Sequence, residues 1–284
     1  MSTITTLLEK IQQADAILVG TGSGMSAATG LNFWYEDSDL YNATMRYYAD
    51  KYGFNGMFEG FYTHYHTEEE QWGYYLGALD MILNLKAPKP TYAYLKHLLG
   101  DKPFHIVTTN QDTVAFRYFP EAVISEIQGS WHYFQSQHTY SDETLYSTKI
   151  LLQELLPKLE AHKLPSQYIP KSKVDGSPLI PWARGPEFLE GDRYFKEHQK
   201  ISCFLGKHRG QKILFIELGV GRMTPMFIQE PFWEMTNYMP DSFYVNINPK
   251  DALTHPQIAE RSLLIHDDIN TILEEAVSQM EDSK

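Results

Sequence analysis

The chain has 284 residues, of which 43% are hydrophobic and 21% are charged, so it can form a folded core and is not a disordered chain. Its net charge of −12 argues against a nucleic-acid partner, because no basic surplus is left to neutralise phosphates. The single cysteine, Cys203, excludes an internal disulfide and a four-cysteine zinc site, and its apolar neighbours predict that it is buried. No apolar run predicts a signal core or a membrane span, so we expect a cytoplasmic protein without a membrane partner.

Short apolar runs predict six strands. A helix with apolar residues at 4, 7, 8 and 11 precedes the first strand, at 16–19. The other strands are predicted at 104–109, 123–127, 213–218, 243–247 and 263–266, with helices at 91–99 and 268–279. Apolar strands that alternate with helices are typical of a parallel sheet covered on both faces. We therefore predict an α/β fold with a doubly wound, Rossmann-like parallel sheet.

Two segments interrupt this alternation. Residues 35–86 are rich in aromatic side chains and predict a helical insertion, whereas 130–210 contains six prolines and little periodicity. A structureless stretch of that length inside one domain would be unusual. We therefore predict a Rossmann-like domain from residues 1–34, 87–129 and 211–284, and a smaller lobe from 35–86 and 130–210.

The turn after the first strand is rich in glycine. Gly22-Ser23-Gly24-Met25-Ser26-Ala27 fits the pattern G-x-G-x-x-G/A between a strand and a helix. Glycines there let the backbone approach a pyrophosphate, and a helix N-terminus supplies amide donors. A simple dehydrogenase would also place an acidic residue at the end of a second strand about 20 residues later, and none is present. The turn therefore predicts a dinucleotide site outside the dehydrogenase class.

Five blocks in chain order resemble the motifs of the sirtuin family. Residues 22–31 resemble its opening motif, G-A-G-x-S-x-x-x-G-I, although Asn32-Phe33-Trp34 lacks the aspartate and arginine of the P-D-F-R segment that follows. The other four blocks resemble the T-Q-N-x-D motif, the histidine–glycine pair, the G-T-S-L-x-V-x-P motif and the isoleucine–asparagine pair near the ribose; they are 108–112, Gln128-Gly129, 217–225 and 246–248.

This resemblance implies that the larger domain binds NAD as a co-substrate. The residues that it assigns to the NAD site are Gly22, Ser23, Gly24, Ser26, Gly30, Thr109, Asn110, Asp112, Gly219, Gly221, Asn246, Asn248 and Asp268. Sirtuins also bind zinc through two C-x-x-C pairs. Ser136 to Thr139 and Ser172 to Gly176 stand where those pairs would be, without a thiolate, so we expect no zinc and a degenerate ribbon module at 130–210. His138 with Asp175 remains an alternative metal pair.

Gln128 decides which reaction the resemblance implies. Its side chain has no accessible pKa, so it cannot replace the histidine that serves deacylases as general base. Asn110 and Gln128 match the catalytic pair of macrodomain-linked (class M) microbial sirtuins, which act as protein ADP-ribosyltransferases.

That resemblance implies mono-ADP-ribosylation of a lipoylated, glycine-cleavage H-like carrier protein, functional association with a macrodomain hydrolase, and a role in oxidative stress. Arg184 is a candidate contact to an acidic acceptor or a phosphate. An NAD glycohydrolase, a weak NAD-dependent deacylase and a non-catalytic NAD sensor remain alternatives.

Overall fold

A computed structural model describes residues 2–31 and 39–282. The counterpart of the P-D-F-R segment, Asn32-Phe33-Trp34, lies outside these residues. The chain divides into two compact units. Unit 1 comprises Met1–Gly30, Ala87–Gln128 and Asp192–Lys284, and unit 2 comprises Leu31–Lys86 and Gly129–Gly191. Residues 192–210, which the sequence analysis assigned to the smaller lobe, belong to unit 1 in this division.

The strands are short and the helices are distributed along the whole chain. The nine strands found in the described residues are β1 Ala16–Thr21, β2 Phe104–Thr108, β3 Ile124–Glu126, β4 Gly129–Ser136, β5 Tyr146–Ser147, β6 Leu179–Ala183, β7 Ile213–Leu218, β8 Phe243–Ile247 and β9 Ser262–Ile265. The α-helices there are α1 Thr3–Gln13, α2 Ser23–Ala28, α3 Asp39–Tyr52, α4 Gly56–Tyr62, α5 Glu68–Asn84, α6 Thr91–Leu99, α7 Thr148–Leu155, α8 Asp192–Lys207, α9 Gln229–Tyr238 and α10 Ile269–Asp282.

Unit 1 is built on a six-stranded sheet in the order β3-β2-β1-β7-β8-β9. All five strand pairings are parallel, which confirms the predicted doubly wound sheet. Every residue of β1 and β7 is buried, as expected of central strands covered on both faces. One face packs an apolar cluster around Leu18, Phe215 and Phe232.

Helix α8 joins unit 1 through a buried carboxylate. Glu197 is 1% exposed and pairs with Arg193 at 2.7 Å and Lys200 at 2.9 Å. Its main-chain oxygen accepts a hydrogen bond of 2.7 Å from the hydroxyl of Ser125 in β3. Cys203 lies on this helix and is exposed, so the prediction that it is buried was wrong. Its apolar neighbours Ile201 and Phe204 pack on the core from other faces of the helix.

Unit 2 combines helices α3, α4, α5 and α7 with an antiparallel sheet in the order β5-β4-β6. Trp72 of α5 stacks on Phe134 of β4 with ring centroids 5.0 Å apart, so aromatic rings join the helical insertion to the ribbon. Glu70 is 1% exposed and lies 2.5 Å from Lys51 and 3.2 Å from Lys163. Although burial raises the pKa of Glu70, hydrogen bonds from these lysines and from Tyr52 outweigh it and lower that pKa to about 2.

Within residues 2–31 and 39–282, no helix is long and apolar enough to cross a membrane.

Candidate functional site

The site residues of unit 1 follow the carboxyl ends of its parallel strands. The glycine turn follows β1, Asn110 follows β2, Gln128 follows β3 and Gly219 follows β7. In open parallel sheets, ligands bind at this edge, at the point where the strand order reverses. Here that point lies between β1 and β7, because β2 pairs with β1 on one side and β7 pairs with it on the other.

The glycines of the first turn let two loops of the protein approach each other. A Cβ at Gly22 would lie 2.6 Å from the Cα of Val220, and a Cβ at Gly24 would lie 2.7 Å from the Cα of Gly219. The main-chain N–H of Gly24 donates to the oxygen of Gly219 over 2.9 Å. These glycines therefore allow the first turn to pack against the β7 turn. From the sequence, they were expected to let the backbone approach a pyrophosphate, and that role stays a prediction. Gly221 differs, because nothing lies within 4 Å of the position of its Cβ.

Gly30 and Ser23 complete the first block. Gly30 has φ +87°, a conformation that favours glycine, and its Cβ position would meet Pro88 at 3.1 Å. Gly30 is the last residue of the first segment of unit 1, and it lies against Pro88 at the start of the second segment, Ala87–Gln128. Ser23 is the first residue of α2 and is partly exposed.

Asn110 is oriented by the glycine turn. Its Nδ2 donates to the main-chain oxygen of Gly22 over 2.8 Å, and its own N–H donates to the hydroxyl of Thr108 over 3.0 Å. Thr109 extends the strand by donating its N–H to the oxygen of Thr21 over 3.1 Å. Only 9% of Asn110 is exposed. Because one N–H of Nδ2 is bonded to Gly22, the direction of the side-chain oxygen Oδ1 is set within the protein.

Asp112 links the β2 loop to the first turn. The hydroxyl of Ser26 donates to its carboxylate, and Oδ1 accepts the N–H of Val114 over 3.1 Å. Burial raises the pKa of Asp112, while the hydrogen bonds from Ser26 and Val114 oppose that rise. The next residue, Thr113, has φ +61°, which is rare for a β-branched residue and costs conformational energy. Ser26 and Asp112 thus hold a strained loop beside Asn110.

Gln128 has a buried donor without a partner. The residue is 9% exposed, and its Nε2 has no hydrogen-bond partner among the residues that the structure describes. An unpaired buried amide is unfavourable, so such a group is expected where a bound molecule supplies the acceptor. Gln128 therefore offers a hydrogen-bond donor at the end of β3.

The remaining residues that the resemblance assigns to an NAD site lie in or after β8 and β9. Asn248 donates Nδ2 to the oxygen of Val220 over 3.0 Å, and its Oδ1 accepts the N–H groups of Lys250 and Asp251, each at 3.0 Å. Asp268 accepts the N–H of Thr271 over 3.0 Å and so begins α10. These two side chains are used mainly in holding the backbone.

Asn246 differs from Asn248 because it is completely buried. Its Nδ2 lies 3.2 Å from Glu217 Oε1 and 3.1 Å from the hydroxyl of Tyr244. The sequence analysis missed Glu217, a 0% exposed carboxyl that also accepts Gln229 at 2.9 Å and Tyr244 at 2.6 Å. Burial raises the pKa of Glu217 to about 7. The available signal was an acidic residue in the otherwise apolar run 213–218.

Arg184 belongs to unit 2, where it follows β6. Its guanidinium pairs with Glu190 over 2.6 Å and lies 4.2 Å from the ring centroid of Phe188. A contact to a substrate would therefore compete with a partner that the protein already provides.

At the positions where the resemblance would place zinc ligands, the residues do not fit a zinc ion. Ser136 and Ser177 share a hydrogen bond of 2.6 Å, and Ser172 donates to Asp142 over 2.7 Å. Zinc in structural sites requires thiolate or imidazole ligands, whereas these hydroxyl groups bond to one another or to a carboxylate. In the part of the chain that the structure describes, no three His, Cys, Asp or Glu residues are grouped to hold a metal.

Comparison with known proteins gives relatives and a fold. No family model matches the chain. A Staphylococcus aureus protein named "Protein ADP-ribosyltransferase" is 28% identical over 272 residues, which cover 94% of this chain and 84% of that protein. A Fusarium oxysporum f. sp. cubense protein named "Probable bifunctional ADP-ribose hydrolase/ADP-ribosyltransferase" is 29% identical over 234 residues, which cover 78% of this chain and 38% of that protein.

Solved structures share the fold at lower identity. A Sir2 homologue in complex with NAD superposes with a TM-score of 0.59 at 16% identity, covering 98% of this chain and 94% of that chain. A Sir2 protein bound to a propionylated peptide has a TM-score of 0.57 at 15% identity, covering 99% of both chains. The chain therefore has the sirtuin fold, which confirms the resemblance seen in its motifs.

Proposed function

We propose that this protein is an NAD-dependent protein mono-ADP-ribosyltransferase. Two relatives at 28% and 29% identity are named for ADP-ribosyl transfer, and solved sirtuin structures include an NAD complex. The observation that carries the proposal is Gln128, which is buried at the end of β3 with an unpartnered N–H donor. A glutamine can orient a ribose hydroxyl but cannot take its proton, so it suits transfer and not deacylation.

NAD fits the carboxyl edge of the unit 1 sheet. Three features follow strands at this edge: the open side of Gly221, the side-chain oxygen of Asn110 and the buried side-chain N–H of Gln128. An uncharged donor and an uncharged acceptor suit the hydroxyl groups of a ribose, which both donate and accept. In the proposal, the turns after β1 and β7 border the pyrophosphate, and Asn110 and Gln128 face the ribose that carries nicotinamide.

The proposed reaction replaces one bond to the ribose with another. The bond between C1′ and the nicotinamide nitrogen breaks, and its electron pair leaves with neutral nicotinamide. A nucleophile of the acceptor protein gives its electron pair to C1′ and releases its proton to water. Asn110 and Gln128 would hold the ribose for this displacement, which lowers the barrier through orientation and not through proton transfer.

By the class M resemblance, we propose a lipoylated H-like carrier protein as the acceptor, in the setting of oxidative stress. The Fusarium relative, named for both ADP-ribose hydrolase and ADP-ribosyltransferase activities, supports a functional link to a macrodomain hydrolase that would remove the modification. Arg184 is retained as a candidate contact to the acceptor, through exchange of its partner Glu190.

Labelled NAD tests the proposal. The protein is incubated with NAD carrying label in the ADP-ribose portion, together with lipoylated and unmodified carrier proteins, and the label is followed to protein or to free ADP-ribose. Label on a carrier supports the transferase, and preference for the lipoylated form supports the proposed acceptor. Free ADP-ribose alone would replace the proposal with an NAD glycohydrolase, and loss of an acyl group from an acyl-lysine peptide would replace it with a deacylase. NAD binding without cleavage would indicate a sensor.

A further inference from the structure

The side chain of Gln111 crosses from the β2 loop to the end of β3. It is half-buried, and its Nε2 donates to the main-chain oxygen of Gln128 over 2.9 Å. Gln111 occupies the variable position of the block 108–112, between Asn110 and Asp112. The residue that it holds is the one whose buried side-chain donor has no partner within the described residues.

This hydrogen bond connects the two segments beyond the end of their strand pairing. The register of β2 and β3 ends at Thr108 and Glu126, and the N–H of Ile127 then donates to the oxygen of Thr108 over 3.1 Å. A regular parallel ladder would continue with a bond from the N–H of Asn110 to the oxygen of Ile127. Instead, the N–H of Asn110 bonds back to the hydroxyl of Thr108, and the side chain of Gln111 reaches the oxygen of Gln128. Gln111 therefore ties the β2 loop to the chain just after β3.

The chain passes into unit 2 directly after Gln128. Gly129 has φ +86°, a conformation open mainly to glycine, and it is the first residue of β4 and of unit 2. Its pairing with Ala183 of β6 holds the chain after Gln128, and the bond from Gln111 holds the main-chain oxygen of Gln128 itself. We expect loss of the bond from Gln111 to let this peptide group, and the side chain beside it, change direction.

We propose that Gln111 is a positioning residue that aims the side-chain amide of Gln128 at the substrate ribose. The inference rests on the proposed function, since it assigns a role to the same site. Asn110 is fixed by the oxygen of Gly22, and Gln128 is fixed by Gln111, so both ends of the pair are held by amide donors to main-chain oxygens. Such restraint matters because a displacement of about 1 Å at a reacting centre can reduce turnover by as much as about 100-fold.

Substitution at Gln111 tests this role by kinetics. Gln111→Met keeps the length of the side chain and removes the donor. We expect kcat for nicotinamide release to fall about 10-fold, with KM for NAD changed by less than about twofold, because turnover depends on orientation. The matched control is Gln279→Met, which removes a hydrogen bond of 3.0 Å from the side-chain amide to the hydroxyl of Thr5 on α1 and should leave kcat unchanged. In a Gln128→Ala background, Gln111→Met should cause no further loss, and losses that multiply would overturn the inference.

A spectroscopic measurement makes the test independent of turnover. Protein labelled with ¹⁵N-glutamine gives a side-chain NH₂ signal for Gln128, assigned by its absence in Gln128→Ala. We expect Gln111→Met to shift or broaden this signal and Gln279→Met to leave it in place. An unchanged signal in Gln111→Met overturns the inference even if the transferase proposal stands. Conversely, a wild-type protein that releases no nicotinamide with any acceptor overturns the proposed function, while the NMR result still decides whether Gln111 positions Gln128.

Discussion

Asn110 and Gly22 are joined by a hydrogen bond of 2.8 Å, in which the side-chain amide donates to the main-chain oxygen of the glycine turn. The bond unites the second sequence block with the first and sets the direction of the side-chain amide. In the proposed site, Asn110 therefore presents its oxygen Oδ1 to the substrate in a direction that the protein sets.

Two substitutions of Asn110 test the roles of its acceptor, Oδ1, and of its donor, Nδ2, which orients the side chain. Asn110→Ala removes both, whereas Asn110→Asp keeps an oxygen but places a carboxylate against the oxygen of Gly22. Because the carboxylate must turn away from that oxygen, we expect NAD cleavage to fall about 100-fold in both variants. The measurement is initial-rate nicotinamide release, with the exposed Asn84→Asp as control. Near wild-type activity in Asn110→Asp would show that the bond to Gly22 is not needed.

Gly24 packs closely against another turn of the protein, whereas Gly221 has an open side that we propose faces the dinucleotide. Gly24→Ala places a methyl group 2.7 Å from the Cα of Gly219, and we expect the free energy of unfolding to fall by about 3 kcal/mol. Gly221→Ala meets nothing within 4 Å, so stability should change by less than about 0.5 kcal/mol. Its methyl group would occupy space proposed for the dinucleotide, and the Kd for NAD should rise about 10-fold.

Urea unfolding and calorimetric titration with NAD measure these two effects. Gly206→Ala serves as a control, because it lies on α8 with nothing within 4 Å and should raise stability by up to about 1 kcal/mol. Equal destabilisation by Gly24→Ala and Gly221→Ala would contradict the distinction.

The parallel sheet could be predicted from the sequence because its strands are apolar on both faces and alternate with helices. β7 and β8 were predicted with the bounds that the structure has. The glycine turn was located correctly, but its partner was not: contact between Gly24 and Gly219 joins positions 195 residues apart in sequence, which no local pattern reveals. Asn246 and Asn248 belong to the same sequence block, and what separates them is that β8 ends at Ile247, so that Asn246 lies in the strand and Asn248 in the loop after it.

Other features were missed because they depend on contacts between distant segments. The sequence indicated that the ribbon had lost its thiolates, but it did not reveal the hydroxyl and carboxylate groups that bond there. Gln111 stands at the variable position of its motif, so the sequence did not single it out, and its partner is a main-chain oxygen 17 residues away. Glu217 was read as part of an apolar strand, although three polar partners converge on it from β8 and α9.

The hydrogen bonds of Asp142 are expected to stabilise the ribbon of unit 2. Asp142 is 2% exposed and accepts the N–H of Thr144 at 2.8 Å and the hydroxyls of Tyr146 and Ser172, each at 2.7 Å. Asp142→Ala leaves these donors without an acceptor, so the free energy of unfolding should fall by about 3 kcal/mol. Tyr146→Phe removes one donor and should cost about 1 kcal/mol.

Thermal unfolding with and without EDTA distinguishes this arrangement from a metal site. We expect the midpoint of the wild type to be unaffected by the chelator, because hydroxyl groups that bond to one another bind zinc poorly. Asp50→Ala is the control, since that carboxylate is 67% exposed and forms only a surface pair with Arg46. A lower midpoint in EDTA would show that the ribbon retains a metal.

Two buried groups of unit 1 should give opposite pH dependences of stability. Burial raises the pKa of Glu217 from its ordinary 4.5 to about 7, so the folded state binds more protons than the unfolded state between these values. The free energy of unfolding therefore falls by about 3 kcal/mol as pH rises through that window. Burial, assisted by the charge of Lys200, lowers the pKa of His105 from 6.5 to about 4, and the corresponding term rises with pH by a similar amount.

These opposing terms partly cancel in the wild type between pH 4.5 and 6.5, and Glu217→Gln should expose the term from His105. The variant loses some stability at every pH, because its amide has one oxygen acceptor where the carboxyl group offers two to Tyr244, Gln229 and Asn246. Relative to the wild type, however, its free energy of unfolding should increase by about 3 kcal/mol as pH rises from 4.5 to 7, since the glutamine has no charge to bury. Urea unfolding at pH 5, 6, 7 and 8 measures the difference, with the exposed Glu234→Gln as control. A difference that does not change with pH would mean that Glu217 is ionised throughout, held by the donors of Tyr244, Gln229 and Asn246 in spite of its burial.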